Sequence, residues 1–123
     1  TTIKNKLCMK SKLSLKGSAN EILKRMENMA FEMINKIIKR RKLSFYKQKG
    51  KVTYFKRRNP HESEININKL QNLNKIFDFI RMLDAPGYPS AYIHINKFSF
   101  NFKNAKKFKN KIIAEVEINK NEK

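Results

Sequence analysis

From Ala19 onward, apolar residues return every three or four positions: Ala19, Ile22, Leu23, Met26, Met29, Ala30, Met33, Ile34, Ile37 and Ile38. This is the spacing of one face of an α-helix, held over about five turns. Gly17-Ser18 breaks the pattern before it. Ser18 and Glu21 fit a capping box, in which the hydroxyl accepts from a backbone N–H three residues on and the carboxylate reaches back. Lys36, Lys39, Arg40, Arg41 and Lys42 crowd the far end, where the helix dipole favours cations. The pattern predicts a helix from Ala19 to about Arg40 with an apolar stripe that needs a partner surface. Upstream, Leu13 and Leu15 alternate with polar neighbours as a short strand would.

The period then changes. Leu43 to Gly50 reads as a connection and Lys51 to Arg57 as a strand, with Val52 and Tyr54 on one face and Thr53 and Phe55 on the other. Arg58 to Asn66 is polar, contains Pro60 and predicts a loop. A second helix is expected over Lys69 to Leu83, with Leu70, Leu73, Ile76, Phe77, Ile80 and Leu83 on one side. Asp84-Ala85-Pro86-Gly87-Tyr88-Pro89 cannot continue it. Three alternating runs follow: Ala91 to Ile95, Lys97 to Phe102 with its three phenylalanines on one face, and Lys111 to Ile118 with Ile112, Ala114, Val116 and Ile118 on one face. Asn96-Lys97 is short enough for a hairpin turn. Lys103 to Lys111 reads as a basic loop and Asn119 to Lys123 as a frayed end. The expected class is α+β: one long amphipathic helix, then a small β-rich, partly barrel-like domain with one helix. No internal repeat is visible.

Charge changes the picture more than composition does. The chain has 29 Lys plus Arg against 10 Asp plus Glu, a formal net charge of +19. A surplus of this size favours polyanions: nucleic acid, phosphorylated substrates or acidic lipid. The chain is also crowded with Asn and Ile, a mixture typical of AT-rich coding, which inflates Lys on every solvated face. Both origins of the excess therefore stand. The single cysteine, Cys8, forms no internal disulfide, and with only His61 and His94 beside it a Cys/His zinc site is excluded. No apolar run reaches the length of a membrane span, and no hydrophobic leader is visible. These absences lead to the expectation of a reduced, cytoplasmic setting. The chain opens on Thr1-Thr2 rather than Met, from which removal of an upstream segment is expected.

Two segments carry a family likeness: Tyr54-Phe55-Lys56-Arg57-Arg58-Asn59-Pro60-His61-Glu62-Ser63-Glu64-Ile65, and Phe79-Ile80-Arg81-Met82-Leu83-Asp84-Ala85-Pro86-Gly87-Tyr88-Pro89-Ser90-Ala91-Tyr92. Together they resemble the C-terminal domain of the formyltransferases that use 10-formyltetrahydrofolate, the group of methionyl-tRNA formyltransferase and the sugar N-formyltransferases. In that family a helix ending in an Ile-Arg pair runs into a Pro/Gly turn, then a small residue, an aromatic and a strand. Leu13 to Ile22 is similar to the stretch before the last helix of the family's catalytic domain. The resemblance implies that the long helix closes a Rossmann-like catalytic domain and that a β-rich appendage follows. It implies three regions: residues 1–42 from the catalytic domain, 43–60 as linker and strand, and 61–123 as the C-terminal domain.

The same resemblance implies an activity for the parent: passing a formyl group from the folate to a primary amine, on methionyl-tRNA or a nucleotide-linked amino sugar. The family uses an Asn, a His and an Asp to stabilise the oxyanion and move protons. The Asn and His belong upstream of Thr1. The Asp belongs to an Asp-x-Gly-x-Ile stretch that falls near Ile3-Lys4-Asn5-Lys6-Leu7, where both Asp and Gly are absent. The resemblance thus implies no catalytic residue, no cofactor-binding residue and no metal in this chain. Its expected partners are the missing catalytic domain and a polyanion, tRNA or a nucleotide-linked sugar. The alternative is a stand-alone basic RNA-binding module.

Individual residues narrow this. Lys56, Arg57 and Arg58 follow the Tyr54-Phe55 pair, and Arg grips phosphate while aromatics stack on bases. Lys106, Lys107 and Lys109 lie in a second basic stretch with Lys103 and Lys111. These six are the candidate phosphate contacts, against the plain alternative of a solvated charge run. Arg81, Asp84, Pro86 and Gly87 are expected to be structural, Arg81 pairing with Asp78 or Asp84 or holding the turn's carbonyls. His61 could pair as a base with Glu62 or Glu64, but a solvated loop histidine is the simpler reading. His94 is expected on a sheet surface.

Overall fold

The structure is a computed structural model that describes residues 6–70 and 72–121. Two compact units divide the chain: one of residues 1–15 and 22–56, the other of residues 16–21 and 57–123.

The first unit holds strand β1 (Lys6–Leu7), most of helix α1 (Ala19–Ile38) and strand β2 (Tyr46–Lys47). β1 and β2 pair antiparallel, Lys6 against Lys47 and Leu7 against Tyr46. Ile3, Lys4 and Asn5, on which the missing Asp-x-Gly stretch falls, lie outside the described residues. α1 forms where its apolar period predicts. Its start carries the expected capping box: Ser18 N–H donates to Glu21 Oε2 at 2.7 Å, and Glu21 N–H donates to Ser18 Oγ at 3.3 Å. Gly17 is required there. Its φ is +88°, and a Cβ would run into the Glu21 carboxylate. The helix stops two residues earlier than expected, as Arg40 N–H bonds back only three residues, to Ile37 O at 3.1 Å.

Two expected strands are absent. Leu13 and Leu15 lie in irregular backbone, and so does Lys51 to Arg57, where Tyr54 and Phe55 are each 90% exposed. Alternation only permits a strand; a neighbouring strand must hydrogen-bond it, and neither segment has one among the described residues.

The second unit contains a 3-10 turn (Pro60–Ser63), helix α2 (Leu73–Leu83), and strands β3 (Ala91–Ile95), β4 (Phe98–Lys107) and β5 (Ile112–Lys120). The strands form an antiparallel sheet in the order β3-β4-β5. α2 begins four residues later than its apolar pattern suggests. Asn72 is its N-cap, with the side chain accepting from Lys75 N–H at 3.0 Å, while Leu70 closes a separate turn on Asn66. The core of this unit is Ile80, Leu83 and Ala91, with Ile65, Ile76, Phe79, Phe102 and Ala105 packed around it.

The sheet corrects three further expectations. Among the described residues there is no closed barrel: the sheet is open, its β3 edge meets only the isolated bridge from Glu64 to Tyr92, and three strands are too few to close. Lys103 to Lys107 is strand rather than loop. A bulge between Lys103 and Lys106 carries the pairing through, with Asn104 at φ +51°. Asn119 and Lys120 are likewise paired, with Ser99 and Phe98, instead of frayed. The Asn96-Lys97 hairpin turn forms as expected, Asn96 supplying the positive φ (+54°) that a glycine usually provides.

Candidate nucleic-acid interface

Polar chemistry in the second unit gathers in three places. The first is the junction after α2. Arg81 Nε donates to Asp78 Oδ1 at 2.6 Å, and Arg81 Nη1 donates to the carbonyl of Gly17 at 2.8 Å. Asp84 Oδ2 accepts from Asn104 N–H at 2.8 Å, and the Asp84 carbonyl accepts from Asn20 N–H at 3.0 Å. Pro86 and Gly87 turn the chain here, with Gly87 at φ +79° and Tyr88 N–H closing on Ala85 O at 3.1 Å. Arg81 therefore meets Asp78 as the spacing suggests, but the carbonyl it holds belongs to Gly17, 64 residues away. Helix end, bulge and capped segment are fixed together, and sequence periodicity cannot show a contact of that span.

The second place is the β4–β5 hairpin end. Phe108 N–H closes the turn on Lys111 O at 2.8 Å, and Lys111 Nζ stands 5.7 Å from the centre of the half-exposed Phe108 ring. Lys106, Lys107 and Lys109 are all exposed around it. Lys107 Nζ hydrogen-bonds Asn74 Oδ1 in the first turn of α2. Because Lys103 to Lys107 is strand, Lys106 and Lys107 project from a paired ladder, while Lys109 lies in the turn that follows it.

Lys56, Arg57 and Arg58 are exposed, and Lys56 falls in the first unit while the two arginines fall in the second. Arg58 is partly committed to the fold. Its Nη2 donates to the Glu62 carbonyl at 2.6 Å, and its guanidinium lies 5.5 Å from the centre of the Phe79 ring. Glu62 in turn accepts from Asn59 N–H at 2.6 Å, capping the 3-10 turn. Glu64 faces His94 Nδ1 at 3.9 Å. Both carboxylates beside His61 are thus occupied elsewhere. His94 lies on the sheet surface against Tyr92, ring centres 4.8 Å apart.

The third place is a cleft of about 420 Å³ on the polar face of the sheet, lined by Tyr88, Tyr92, Asn101, Lys103, Glu117 and Asn119, among others. The register makes it: Tyr92, Asn101 and Glu117 stand opposite one another across the three strands, and Asn119 and Lys103 flank them. Glu117 is gripped from both sides. Asn119 Nδ2 donates to Oε1 at 3.0 Å and Lys103 Nζ to Oε2 at 3.0 Å. The Asn119 hydrogen bond, followed by that of Lys103 and its charge, holds the carboxyl below its ordinary range. Sequence reasoning missed this cluster, although the signal was present: Asn101, Lys103, Glu117 and Asn119 are the polar alternates between the phenylalanines and isoleucines that marked the apolar face.

Among the described residues, no three His, Cys, Asp or Glu side chains are grouped to hold a metal ion, and no helix is long and apolar enough to cross a membrane.

Residues 60–119 match the family described as methionyl-tRNA formyltransferase, C-terminal domain. Among solved structures, the chain is similar to a methionyl-tRNA formyltransferase from Clostridium thermocellum, at 40% identity and a TM-score of 0.86, over 97% of this chain and 52% of that one. The chain therefore spans about half the length of that relative. Comparison with curated proteins gives no match. The Pro/Gly junction and both likenesses agree: this chain carries the C-terminal region of a member of the formyltransferase family.

Proposed function

We propose that this chain is the RNA-contacting and scaffolding part of a cytoplasmic formyltransferase whose whole transfers a formyl group from 10-formyltetrahydrofolate to the amine of methionyl-tRNA. The observation that carries the reading is the β4–β5 hairpin end, where exposed Lys106 and Lys107 on the β4 ladder and Lys109 in the turn flank Phe108 in sequence, in a chain of net charge +19. Lysines on a rigid frame neutralise successive phosphates and release their counterions, while an exposed ring gives a base something to stack on. Methionyl-tRNA is favoured over a nucleotide-linked sugar because both likenesses are to methionyl-tRNA formyltransferases. Lys56, Arg57 and Arg58 are proposed as a further contact, with Arg58 the smallest contributor because its guanidinium is already engaged.

The division into residues 1–42, 43–60 and 61–123 belongs to the same proposal, with α1 as the closing helix of a Rossmann-like catalytic domain. Its support is the apolar flank of α1, where Met26, Ile34 and Ile38 remain exposed as a docking helix requires. The folate supplies the formyl group when bound. The described residues do not fit its transfer chemistry. His61 sits in an exposed 3-10 turn whose adjacent carboxylates are occupied, and His94 lies on the sheet surface. No transfer step is assigned to them.

The test is binding of methionyl-tRNA to the 123-residue chain, followed by fluorescence anisotropy. Replacing Lys106, Lys107 and Lys109 together by Ala is expected to weaken binding by tenfold or more at moderate salt. Unchanged affinity would reject the assignment.

A further inference from the structure

The cleft on the polar sheet face is unused by the lysine contact, and its chemistry is more selective than a phosphate site needs. Its floor is a row of fixed polar groups, Asn101, Glu117 and Asn119, and Lys103 closes one end. Tyr88, half-exposed and delivered by the Pro/Gly turn, stands at the rim, with Tyr92 beside Asn101 on the neighbouring strand. A volume of about 420 Å³ lies within the range of small-ligand sites.

Glu117 defines what fits. Each carboxylate oxygen offers about two lone-pair directions. Asn119 uses one on Oε1 and Lys103 uses one on Oε2, which fixes the plane of the group and leaves one acceptor on each oxygen. A ligand that satisfies both must present two adjacent N–H donors about as far apart as the carboxylate oxygens. It must also be flat, to lie against tyrosine, and benefit from a nearby ammonium. Among nucleobases, guanine alone offers such a pair, at N1–H and the exocyclic amine. Adenine and cytosine offer only the amine on that edge, and uracil a single N–H between two carbonyls.

We infer that this cleft takes one unstacked guanine nucleotide, with Glu117 accepting from N1–H and the exocyclic amine and Tyr88 stacking on the ring. The inference deepens the RNA reading: the hairpin lysines hold the backbone without regard to sequence, and the cleft reads one base. A pterin ring carries the same donor pair without a phosphate, so the experiment separates the two sources.

The 123-residue chain is titrated with GMP, AMP, CMP, UMP and pterin, with binding followed by calorimetry and by amide shifts in the NMR spectrum. GMP is expected to bind at least about tenfold more tightly than the other three nucleotides, as a bidentate base contact provides. It should also bind more tightly than pterin, with shifts concentrated at Tyr88, Asn101 and Glu117. Glu117→Gln, which replaces one acceptor with a donor, should erase the GMP preference and leave AMP almost unmoved. Tyr88→Ala should weaken all four nucleotides alike. Tyr88 is half-exposed, so this variant tests the site even if Glu117→Gln disturbs the sheet. Equal affinity for the four nucleotides, tighter binding of pterin, or a GMP preference that survives Glu117→Gln would each overturn the inference. The triple lysine variant separates the two readings. Loss of tRNA binding with GMP preference intact supports both. If tRNA binding survives the lysine changes, the lysine contact fails and the GMP titration still decides the cleft.

Discussion

The end of α2 and the flank of α1 share an apolar helical period but meet different surroundings. Ile80 and Leu83 are 3% and 7% exposed, packed with Ala91 of β3, Phe102 and Ala105 of β4, and Ile65. Ile34 and Ile38 on α1 are 50% and 73% exposed. Period alone therefore specifies the helix and not its cover. What distinguishes the second unit is a set of polar contacts that lock the helix end: Arg81 to Asp78 and Gly17, and Asp84 to Asn104 and Asn20. Each of these contacts requires one particular geometry, so together they select one packing where hydrophobic burial would accept several.

That contrast is open to direct challenge. Leu83→Ala should lower the stability of the chain to urea by about 2–5 kcal/mol, because it empties a sealed site. Ile34→Ala should cost under about 1 kcal/mol, since half of that side chain already meets solvent. Equal losses in the two variants would erase the distinction. Next in size is Arg81→Ala, which unties the Gly17 carbonyl and should cost roughly 1.5–3 kcal/mol by the same measurement. Gly17→Ala meets both a positive φ and the Glu21 carboxylate, so a loss of about 1–2 kcal/mol is expected, with the helical circular dichroism signal falling at the start of the thermal transition.

The smallest effect is electrostatic. Asn119 first, then Lys103, lowers the Glu117 pKa in the folded chain. Whatever stability the contact adds is therefore present above the ordinary carboxylate pKa and is lost as the pH falls through the lowered folded value. A carboxyl carbon titration of Glu117 should give a midpoint below the ordinary carboxylate value, and Asn119→Ala should move it upward. A midpoint unmoved by that change would remove Asn119 from the grip.

Local signals were legible in the sequence: the capping box at Ser18 and Glu21, the stop at Pro86-Gly87, the α1 period and the Asn96 hairpin all appear where the residues place them. The family was also legible, from the stretch Phe79 to Tyr92. Features that depend on residues distant in sequence were not. Lys51 to Arg57 alternates as a strand does, but no strand among the described residues pairs with it. Lys103 to Lys107 reads as a solvated charge run, yet β5 pairs it into a ladder and Asp84 anchors its bulge. The Glu117 cleft escaped for a similar reason. Its polar residues sit on two strands, and only the register between Asn101 and Glu117 makes them one surface.

The central claim is that the lysines at the β4–β5 hairpin end contact RNA phosphates. The measurement that tests it most directly is the salt dependence of methionyl-tRNA binding, taken for the chain and for the Lys106→Ala, Lys107→Ala, Lys109→Ala variant under identical conditions. Each phosphate contact contributes about −0.7 to −0.9 to the slope of log affinity against log salt. The account predicts a slope shallower by about 2 to 3 in the variant, with weaker binding at low salt. Parallel slopes of equal steepness would contradict it.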